Sequence, residues 1–308
     1  MKQVDILLGT YNGATFLVEQ INSILNQSFT DWKLIIRDDG SSDGTTEIVL
    51  DYQSKYPEKI TVLENTNENL GVILNFSQLL EASHAPYIMF CDQDDIWLAE
   101  KVELTLTKML AIEKLNPKIP LLVHTDLKVV DDNLDILSDS YWSYQGIDPN
   151  YDTLNRLLIQ NVITGCTVMI NKQLAHLALP IPSTVIMHDW WLGLVATSSG
   201  QIHHLKLPTV LYRQHDNNDT GATAFNFNTI LTQLHNLSNL NLHKYIFQAK
   251  SLLSRYETTL KSEQKELLEA FIDIEKQSWI QGKLSLIKYK ILKQDFFRNL
   301  GLMFSKNK

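Results

Sequence analysis

The chain has 308 residues, of which 44% are hydrophobic and 20% charged, a composition typical of a globular protein and not of a disordered one. Its length suffices for one large α/β domain with a smaller addition, and its net charge of −8 argues against general nucleic-acid binding. Cys91 and Cys166 lie inside apolar runs, so we expect free thiols in a reducing compartment. The first residues already follow a strand pattern and no run of 18 apolar residues occurs, so we expect a cytoplasmic protein without a signal peptide or transmembrane helix.

Strands and helices alternate along the first hundred residues. The predicted strands are residues 4–8, 32–36, 60–63 and 87–91. The predicted helices between them are a stretch with Leu17, Ile21, Ile24 and Leu25 on one face, then residues 46–54 and 72–82. This alternation predicts an α/β fold with a mostly parallel central sheet and flanking helices.

The order of elements is less regular from residue 100 onward. The predicted helices are residues 100–115, 154–160 and 187–196, and the predicted strands are residues 121–126, 164–170 and 206–212. Residues 138–152 have the composition of an irregular, aromatic-rich loop. Beyond residue 221 two long helices are predicted, 229–260 and 262–281, so we expect one domain over residues 1–221 and a C-terminal helical region over residues 222–308.

The predicted strand 87–91 runs directly into three carboxylates, Asp92, Asp94 and Asp95. Ligands of open α/β sheets bind beyond the carboxyl ends of the strands, and side chains two positions apart in an extended segment point the same way. Asp92 and Asp94 therefore predict a site for a hard cation such as Mg²⁺ or Mn²⁺, with substrate phosphates as further ligands. An acidic surface turn is the alternative for so short a motif.

Polar residues also follow the first two predicted strands. Thr10 and Asn12 come after the first strand, and Asp38 and Asp39 after the second. In a parallel sheet these loops converge with the acidic strand end on one crevice. Asp39 is placed to accept a hydrogen bond from a ribose hydroxyl or a base N–H, although a capped turn explains it equally well. No glycine-rich dinucleotide or P-loop motif occurs, so a nucleotide would be held by carboxylates and a metal.

Seven short strings, in unbroken order, carry a resemblance to a known family. They are Thr10-Tyr11-Asn12, D-D-G-S-S-D-G-T at 38–45, Asn69-Leu70-Gly71, D-Q-D-D at 92–95, Thr164-Gly165-Cys166, His188-Asp189-Trp190 and Y-R-Q-H at 212–215. Together they resemble a family 2 glycosyltransferase of the GT-A fold over residues 4–221. The strings D-Q-D-D-I-W, H-D-W-W and Y-R-Q-H are similar to those of bacterial rhamnosyltransferases that build cell-wall polysaccharides.

The resemblance implies a role for each matching residue. It implies that the nucleotide sugar is bound by Thr10, Asn12, Asp39, Asn69, Asp92 and Arg213. It implies that the metal is bound by Asp94, Asp92 and His215, and that Asp189 is the catalytic base. The setting of Asp189, between a histidine and two tryptophans, suits a desolvated carboxylate with a raised pKa. A helix-capping role is the alternative for Asp189, and a surface-loop position is the alternative for His215.

The activity implied by the resemblance is an inverting, metal-dependent transfer of L-rhamnose from dTDP-β-L-rhamnose to a polyprenyl-linked saccharide. Another dTDP- or UDP-hexose is the alternative donor. Gln214-His215 stands where processive synthases carry Q-x-x-R-W, which favours the addition of a single sugar. A sugar-nucleotide pyrophosphorylase would want a basic residue within 9–15, and none is present. A non-catalytic sugar-binding module, the third class considered, would need neither Asp94 nor Asp189.

The last 26 residues, 283–308, differ from the rest in charge. They contain six lysines and one arginine against a single acid, Asp295, interleaved with apolar and aromatic residues. This pattern suits a helix on an anionic membrane, and it predicts peripheral attachment to the inner face of the cell membrane. The alternative is a helix that packs on the catalytic domain or in a homodimer.

Overall fold

The computed structural model of the protein describes residues 2–64, 69–215 and 242–305. The first part alternates strands and helices as predicted: β1 (Val4–Thr10), α1 (Ala14–Leu25), β2 (Trp32–Asp38), α2 (Thr45–Lys55), β3 (Ile60–Val62), α3 (Val72–Ala82) and β4 (Tyr87–Cys91). The middle part contains β5 (Ile96–Trp97), α4 (Lys101–Leu115), β6 (Leu121–Val130), β7 (Ile136–Ser138), α5 (Tyr141–Gln145), α6 (Leu154–Leu157), β8 (Met169–Asn171), α7 (Lys172–Ala178), α8 (His188–Ser199) and β9 (Gln201–Arg213). The C-terminal helices are α9 (His243–Tyr256), α10 (Ser262–Ile272), α11 (Trp279–Lys288) and α12 (Phe296–Phe304).

The described strands form one sheet with the order β3-β2-β1-β4-β8-β6-β9-β5, and β7 pairs with β6. Strands β3, β2, β1 and β4 are parallel, and β9 is parallel to β6. Strand β8 runs antiparallel to both β4 and β6, and β5 runs antiparallel to β9. The prediction of a mostly parallel α/β sheet with flanking helices is therefore confirmed, with an antiparallel strand inserted at its centre.

Alternating side chains of the central strands build two apolar cores, one on each face of the sheet. Ile6 and Leu8 of β1 pack with α1 and α4 on one face. Leu7 points to the other face, where it belongs to the core that includes α3, α8 and the C-terminal helices. The C-terminal region therefore shares a core with the sheet.

Four of the predicted segments differ from the structure. The predicted strand 164–170 is a short 3-10 helix, Gly165–Thr167, followed by β8. The predicted loop 138–152 contains α5, which the side chain of Ser140 caps by accepting a hydrogen bond from Ser143 N at 3.1 Å. The predicted strands 121–126 and 206–212 are longer, because β6 and β9 pair along most of their length.

The prediction of one helix over residues 262–281 is wrong. Helix α10 ends at Ile272, a 3-10 turn follows, and α11 begins after Ser278. The cause is a capping box, in which Ser278 N donates to Gln281 Oε1 at 3.1 Å and Gln281 N donates to Ser278 Oγ at 3.4 Å. The predicted helix 229–260 and the boundary at residue 222 lie partly or wholly outside the described residues, where α9 is the part that can be compared.

Residues 283–305 fold onto the rest of the chain. Leu286, Ile291 and Leu302 are fully buried. The ammonium of Lys283 is buried and donates to Ser305 Oγ at 2.8 Å, while the Arg298 guanidinium donates to backbone carbonyl groups after α5. The basic tail is thus a packed pair of helices. Within the described ranges, no helix is both long enough and apolar enough to cross a bilayer.

Candidate active site

The polar strand ends converge on one cleft, as the sequence predicts. Thr10 of β1 pairs with Asp38 of β2, and Leu8 pairs with Cys91 of β4, so the loops after these strands leave the sheet side by side. The cleft has a volume of about 400 Å³, within the range of small-molecule sites. Its lining includes most of the predicted site residues: Thr10, Asp39, Asn69, Asp92, Asp94 and Asp189.

Asp39, the predicted nucleoside contact, lines the cleft and also organises it. Its carboxylate accepts hydrogen bonds from Leu70 N at 3.0 Å and Gly71 N at 2.8 Å, and from the guanidinium of Arg37 at 2.6 Å. These bonds fasten the loop that carries Asn69 to the end of β2. A nucleoside would therefore meet a carboxylate that is already oriented by the backbone.

Thr10 and Asn12 occupy different positions relative to the cleft. Thr10 lines it, and its hydroxyl donates to Asp38 Oδ1 at 2.9 Å. Asn12 adopts a positive φ of 47° and lies outside the lining, where its Oδ1 accepts from Ser42 N at 2.9 Å and its N–H donates to Ser41 Oγ at 2.8 Å. The structure thus places Asn12 as a clamp on the loop after β2 and does not bring it to the cleft.

The acidic loop after β4 meets the end of β9. Strands β5 and β9 pair with Ile96 opposite Leu211, and this pairing carries His215 to Asp94. His215 Nε2 lies 2.9 Å from Asp94 Oδ2, and its ring packs against Phe16 with the centroids 4.8 Å apart. Two predicted metal ligands that are 121 positions apart in sequence are therefore neighbours.

The donor groups of this region fit a divalent metal. Asp94 Oδ2 and His215 Nε2 lie 2.9 Å apart, so a carboxylate and an imidazole are both within reach of one ion. Asp92 supplies a second carboxylate, and it also lies close to the buried side chains of Asp95 and Cys166, all three with ligand atoms within 4.8 Å of one another. Carboxylate and imidazole ligands suit Mn²⁺ or Mg²⁺ when diphosphate oxygens complete the set.

Arg213, predicted as a phosphate contact, is buried behind the acidic loop and does not line the cleft. Its Nε donates to Asp94 O at 3.0 Å, its Nη1 donates to Asp132 O at 2.8 Å, and its Nη2 is paired with Glu19. Its backbone N–H donates to Asp95 Oδ1 at 3.2 Å. These contacts brace the acidic loop from behind.

Asp189 lies in the first turn of α8, on the cleft wall. Burial raises the pKa of its carboxyl to about 7, even though hydrogen bonds from Trp190 N, Gly165 N and the Asn161 side chain favour the charged form. A carboxylate with a pKa near neutrality matches the requirement for a general base at physiological pH. The raised pKa expected from the sequence is present, and its cause is desolvation.

The two tryptophans after Asp189 belong to the core. Trp190 Nε1 donates to Leu157 O at 2.6 Å, and Trp191 Nε1 donates to Ala178 O at 2.9 Å. Both side chains are buried, so they hold α8 in place. Their packing therefore fixes the helix that carries Asp189.

Several cleft residues have no role predicted from the sequence. Gln93 bridges two loops, since its side chain accepts from Tyr11 N at 2.8 Å and donates to Tyr11 O at 3.0 Å. His188 stacks on Phe76 with ring centroids 4.1 Å apart, and both its nitrogens are buried without a hydrogen-bond partner among the described residues. Gln93 lies inside D-Q-D-D and could have been found there, whereas Phe76 is an ordinary apolar residue of a helix.

Comparison with known proteins agrees with this geometry. The sequence model of the family described as Glycosyl transferase family 2 matches residues 5–121. A dTDP-rhamnosyl transferase from Shigella flexneri is 29% identical over 226 residues, which cover 70% of this chain and 74% of that protein. A UDP-Glc:α-D-GlcNAc-diphosphoundecaprenol β-1,3-glucosyltransferase from Escherichia coli is 28% identical over 174 residues, or 56% of this chain and 62% of that protein.

Solved structures share the fold at low sequence identity. A mannosyltransferase from Pyrobaculum calidifontis, in complex with GDP-Man and Mn²⁺, superposes with a TM-score of 0.56 at 15% identity and covers 94% of this chain and 73% of that chain. Residues 1–349 of S. aureus TarS, in complex with UDP-GlcNAc, give a TM-score of 0.53 at 16% identity, over 94% of this chain and 87% of that chain. Residues 5–121 therefore match the model of glycosyl transferase family 2, and the chain shares the GT-A fold of these glycosyltransferases.

Proposed function

We propose that the protein is an inverting, metal-dependent glycosyltransferase that adds a single L-rhamnose from dTDP-β-L-rhamnose to a polyprenyl-linked saccharide. The observation that carries the proposal is the pairing, across one cleft, of the acidic loop after β4 with the buried base Asp189. The similarity to a dTDP-rhamnosyl transferase of Shigella flexneri supports rhamnose as the donor sugar. The similarity to a UDP-Glc-dependent glucosyltransferase of E. coli makes a UDP-hexose the second candidate donor.

The proposed reaction assigns roles to the polar residues of the cleft. Asp39 and Asn69 bind the nucleoside end, and Asp92 contacts the ribose and sugar. The acceptor hydroxyl attacks the anomeric carbon from the side of Asp189, whose carboxylate takes the hydroxyl proton. The bond between the anomeric carbon and the phosphate oxygen breaks, and the nucleoside diphosphate leaves with the electron pair. The anomeric configuration is inverted in this single displacement.

Asp94, Asp92 and His215 would hold the divalent ion, which when bound stabilises the charge on the departing diphosphate. Arg213 keeps Asp94 in position through the backbone carbonyl, and Gln93 keeps the neighbouring loop after β1 in register. The protein thus presents a preformed set of ligands. Such preorganisation is what electrostatic stabilisation of a leaving group requires.

A panel of nucleotide sugars tests the donor assignment. Release of nucleoside diphosphate from dTDP-rhamnose, dTDP-glucose, UDP-glucose and UDP-N-acetylglucosamine is measured with Mn²⁺, with Mg²⁺ and after exhaustive chelation. We expect turnover of dTDP-rhamnose to be the fastest and to vanish on chelation. Faster turnover of a UDP-hexose would move the donor to the second candidate, and full activity after chelation would overturn the role of the metal.

We also propose that the protein attaches to the inner face of the cell membrane, where a polyprenyl-linked acceptor resides. Helix α11 exposes Ile280, Leu284 and Ile287, which are spaced along one helical face, and α12 exposes further phenylalanines. The exposed charged residues within 278–305 are Lys288 and Lys290, both positive. An apolar face bordered by positive charge suits an anionic bilayer. A homodimer formed through the same face is the alternative.

A further inference from the structure

A second cavity, of about 760 Å³, opens beside the cleft and has no role in the proposed reaction. It is built by four parts of the chain that are distant in sequence: Asp126 of β6, the segment around α5, Lys206 and Pro208 of β9, and the turn before α12. The turn before α12 is bound in place by Gln294, whose side chain accepts from Asp148 N at 2.6 Å and donates to Asp148 O at 3.0 Å. The C-terminal region therefore completes this cavity.

The charged side chains around the second cavity exclude an anionic occupant. Four carboxylates line it, those of Asp126, Asp139, Asp148 and Asp295. Asp139 is paired with Lys128 and Asp295 with Arg298, which leaves the carboxylates of Asp126 and Asp148 against the single ammonium of Lys206. A nucleoside diphosphate or a phosphate group would meet net negative charge there, in contrast to a site that binds phosphate through cations or a metal. The occupant is therefore neutral or positively charged.

The remaining lining groups suit an uncharged polyhydroxylated ligand. The Tyr151 hydroxyl and the Lys206 ammonium make no hydrogen bond to other residues in the described part of the chain and are open to a ligand. The Tyr151 ring is held by the Arg156 guanidinium, 4.8 Å from its centroid, and Arg156 is itself fixed by a hydrogen bond to Leu292 O. A fixed aromatic ring beside hydrogen-bonding groups recognises both the apolar face and the hydroxyl groups of a sugar.

The second cavity and the cleft share a border. Ser140 and Trp142 line the second cavity, while Tyr141 between them packs edge-on against Tyr212 with centroids 5.9 Å apart. Tyr212 lines the cleft that contains Asp189. The contact between Tyr141 and Tyr212 therefore lies between the two cavities.

We propose that the second cavity binds the uncharged sugar units of the acceptor that lie beyond the unit that receives the new residue. This inference rests on the proposed glycosyl transfer, and it names the acceptor as a neutral oligosaccharide instead of a single sugar. The donor and the acceptor then have separate sites: the acidic loop of the cleft binds the charged donor, and the residues around α5 orient the neutral acceptor.

Saturation-transfer NMR on the full chain tests the proposal without requiring turnover. The probes are three neutral trisaccharides built from rhamnose, glucose and N-acetylglucosamine, with a uronic-acid trisaccharide as the anionic comparison. The variants are Tyr151→Ala and Tyr151→Phe, and Leu207→Ala is the matched control because Leu207 is exposed and outside the cavity lining. Melting temperatures establish that each variant is folded.

We expect at least one neutral trisaccharide to bind, the anionic one not to bind, and Tyr151→Ala to weaken binding by roughly tenfold. Tyr151→Phe keeps the ring, so its affinity for the trisaccharide should fall less. Leu207→Ala should bind the trisaccharide as the wild type does. Failure of all three neutral probes with the wild type, or equal binding by Tyr151→Ala, would overturn the proposal. Donor turnover is measured separately, so a chain that binds trisaccharide but releases no diphosphate would refute the proposed transfer and leave the carbohydrate site standing.

Discussion

The cleft contains carboxylates in two contrasting environments. Asp94 lies in a loop between strands, is partly exposed, and has the imidazole of His215 at 2.9 Å. Asp189 lies in the first turn of a helix, is buried close to Gly165, and has a pKa raised to about 7 by that burial. Under the proposed function, the same functional group binds the metal on one wall and takes the proton on the other. Environment divides the two roles, and separate substitutions can test each of them.

The largest effect is expected from Asp94→Ala. A divalent ion would keep fewer anionic ligands beside the diphosphate, so we expect transfer to fall below detection and Mn²⁺-dependent nucleotide binding to weaken. Isothermal titration with the nucleoside diphosphate, with and without Mn²⁺, separates this loss from a folding defect. Asp51→Ala is the matched control, since it removes an exposed carboxylate of α2 outside both cavities. Undiminished metal-dependent binding by Asp94→Ala would remove Asp94 from the metal site.

Asp189→Asn should leave donor and metal binding intact and reduce kcat by 10²–10⁴-fold, the usual contribution of a general base. The folded pKa is above the unfolded value, so Asp189 destabilises the fold increasingly as the pH rises from about 4 through 7. At pH 8 the variant should therefore melt at a higher temperature than the wild type, and near pH 4 this difference should disappear. Turnover within threefold of the wild type would assign Asp189 to helix capping.

Arg213→Lys tests whether the acidic loop needs its support. Lysine keeps the positive charge but lacks the planar guanidinium that contacts Asp94 O, Asp132 O and Glu19. Because loss of a group that orients a metal ligand weakens metal binding, we expect the affinity for the metal to fall by about tenfold. The control Lys55→Met breaks the exposed pair with Asp51 and should change nothing. Were Arg213 a phosphate ligand instead, nucleotide binding would weaken equally without metal.

The smallest effects concern the membrane face. Leu284→Ser with Ile287→Ser should release the protein from anionic vesicles in sedimentation assays, while Leu110→Ser with Leu115→Ser, which alters exposed leucines of α4, should not. Replacement of either Lys288 or Lys290 should weaken the free energy of binding to anionic vesicles by only about 1 kcal/mol. The other basic groups contribute less, because burial lowers the pKa of Lys283 and of Lys293 to about 8. If the Leu284→Ser and Ile287→Ser variant bound vesicles as the wild type does but no longer formed a dimer in ultracentrifugation, the exposed apolar face would be a homodimer interface.

The sequence predicts the wall of the acidic loop better than the wall of Asp189. Strand ends and their carboxylates are local features, and parallel topology brings Thr10, Asp39 and Asp92 together without further information. The strand predicted at 164–170 is replaced by a 3-10 turn, since Gly165 lies directly against His188 and Asp189 there. That contact depends on the packing of α8, which periodicity alone does not reveal.

Motif residues also differ in ways that a sequence pattern does not show. Asn12 and Arg213 belong to strings that resemble the family as strongly as Asp94 does, yet their side chains support loops instead of lining the cleft. The charge of the tail is likewise a property of the sequence, whereas the burial of Lys283 and the exposure of Leu284 depend on where α11 packs. Burial depends on tertiary packing, which explains why these residues differ from what the sequence predicts.

The dependence of kcat on pH tests the division of roles most directly. Because Asp189 must be deprotonated to accept the proton, kcat of the wild type should rise with pH through about 7 and reach a plateau above it. The residual rate of Asp189→Asn should show no such rise, with Mn²⁺ saturating throughout. This pair of profiles would place the base in the buried wall. A wild-type profile that is flat from pH 5 to 9, or a rise that persists unchanged in Asp189→Asn, would contradict the account.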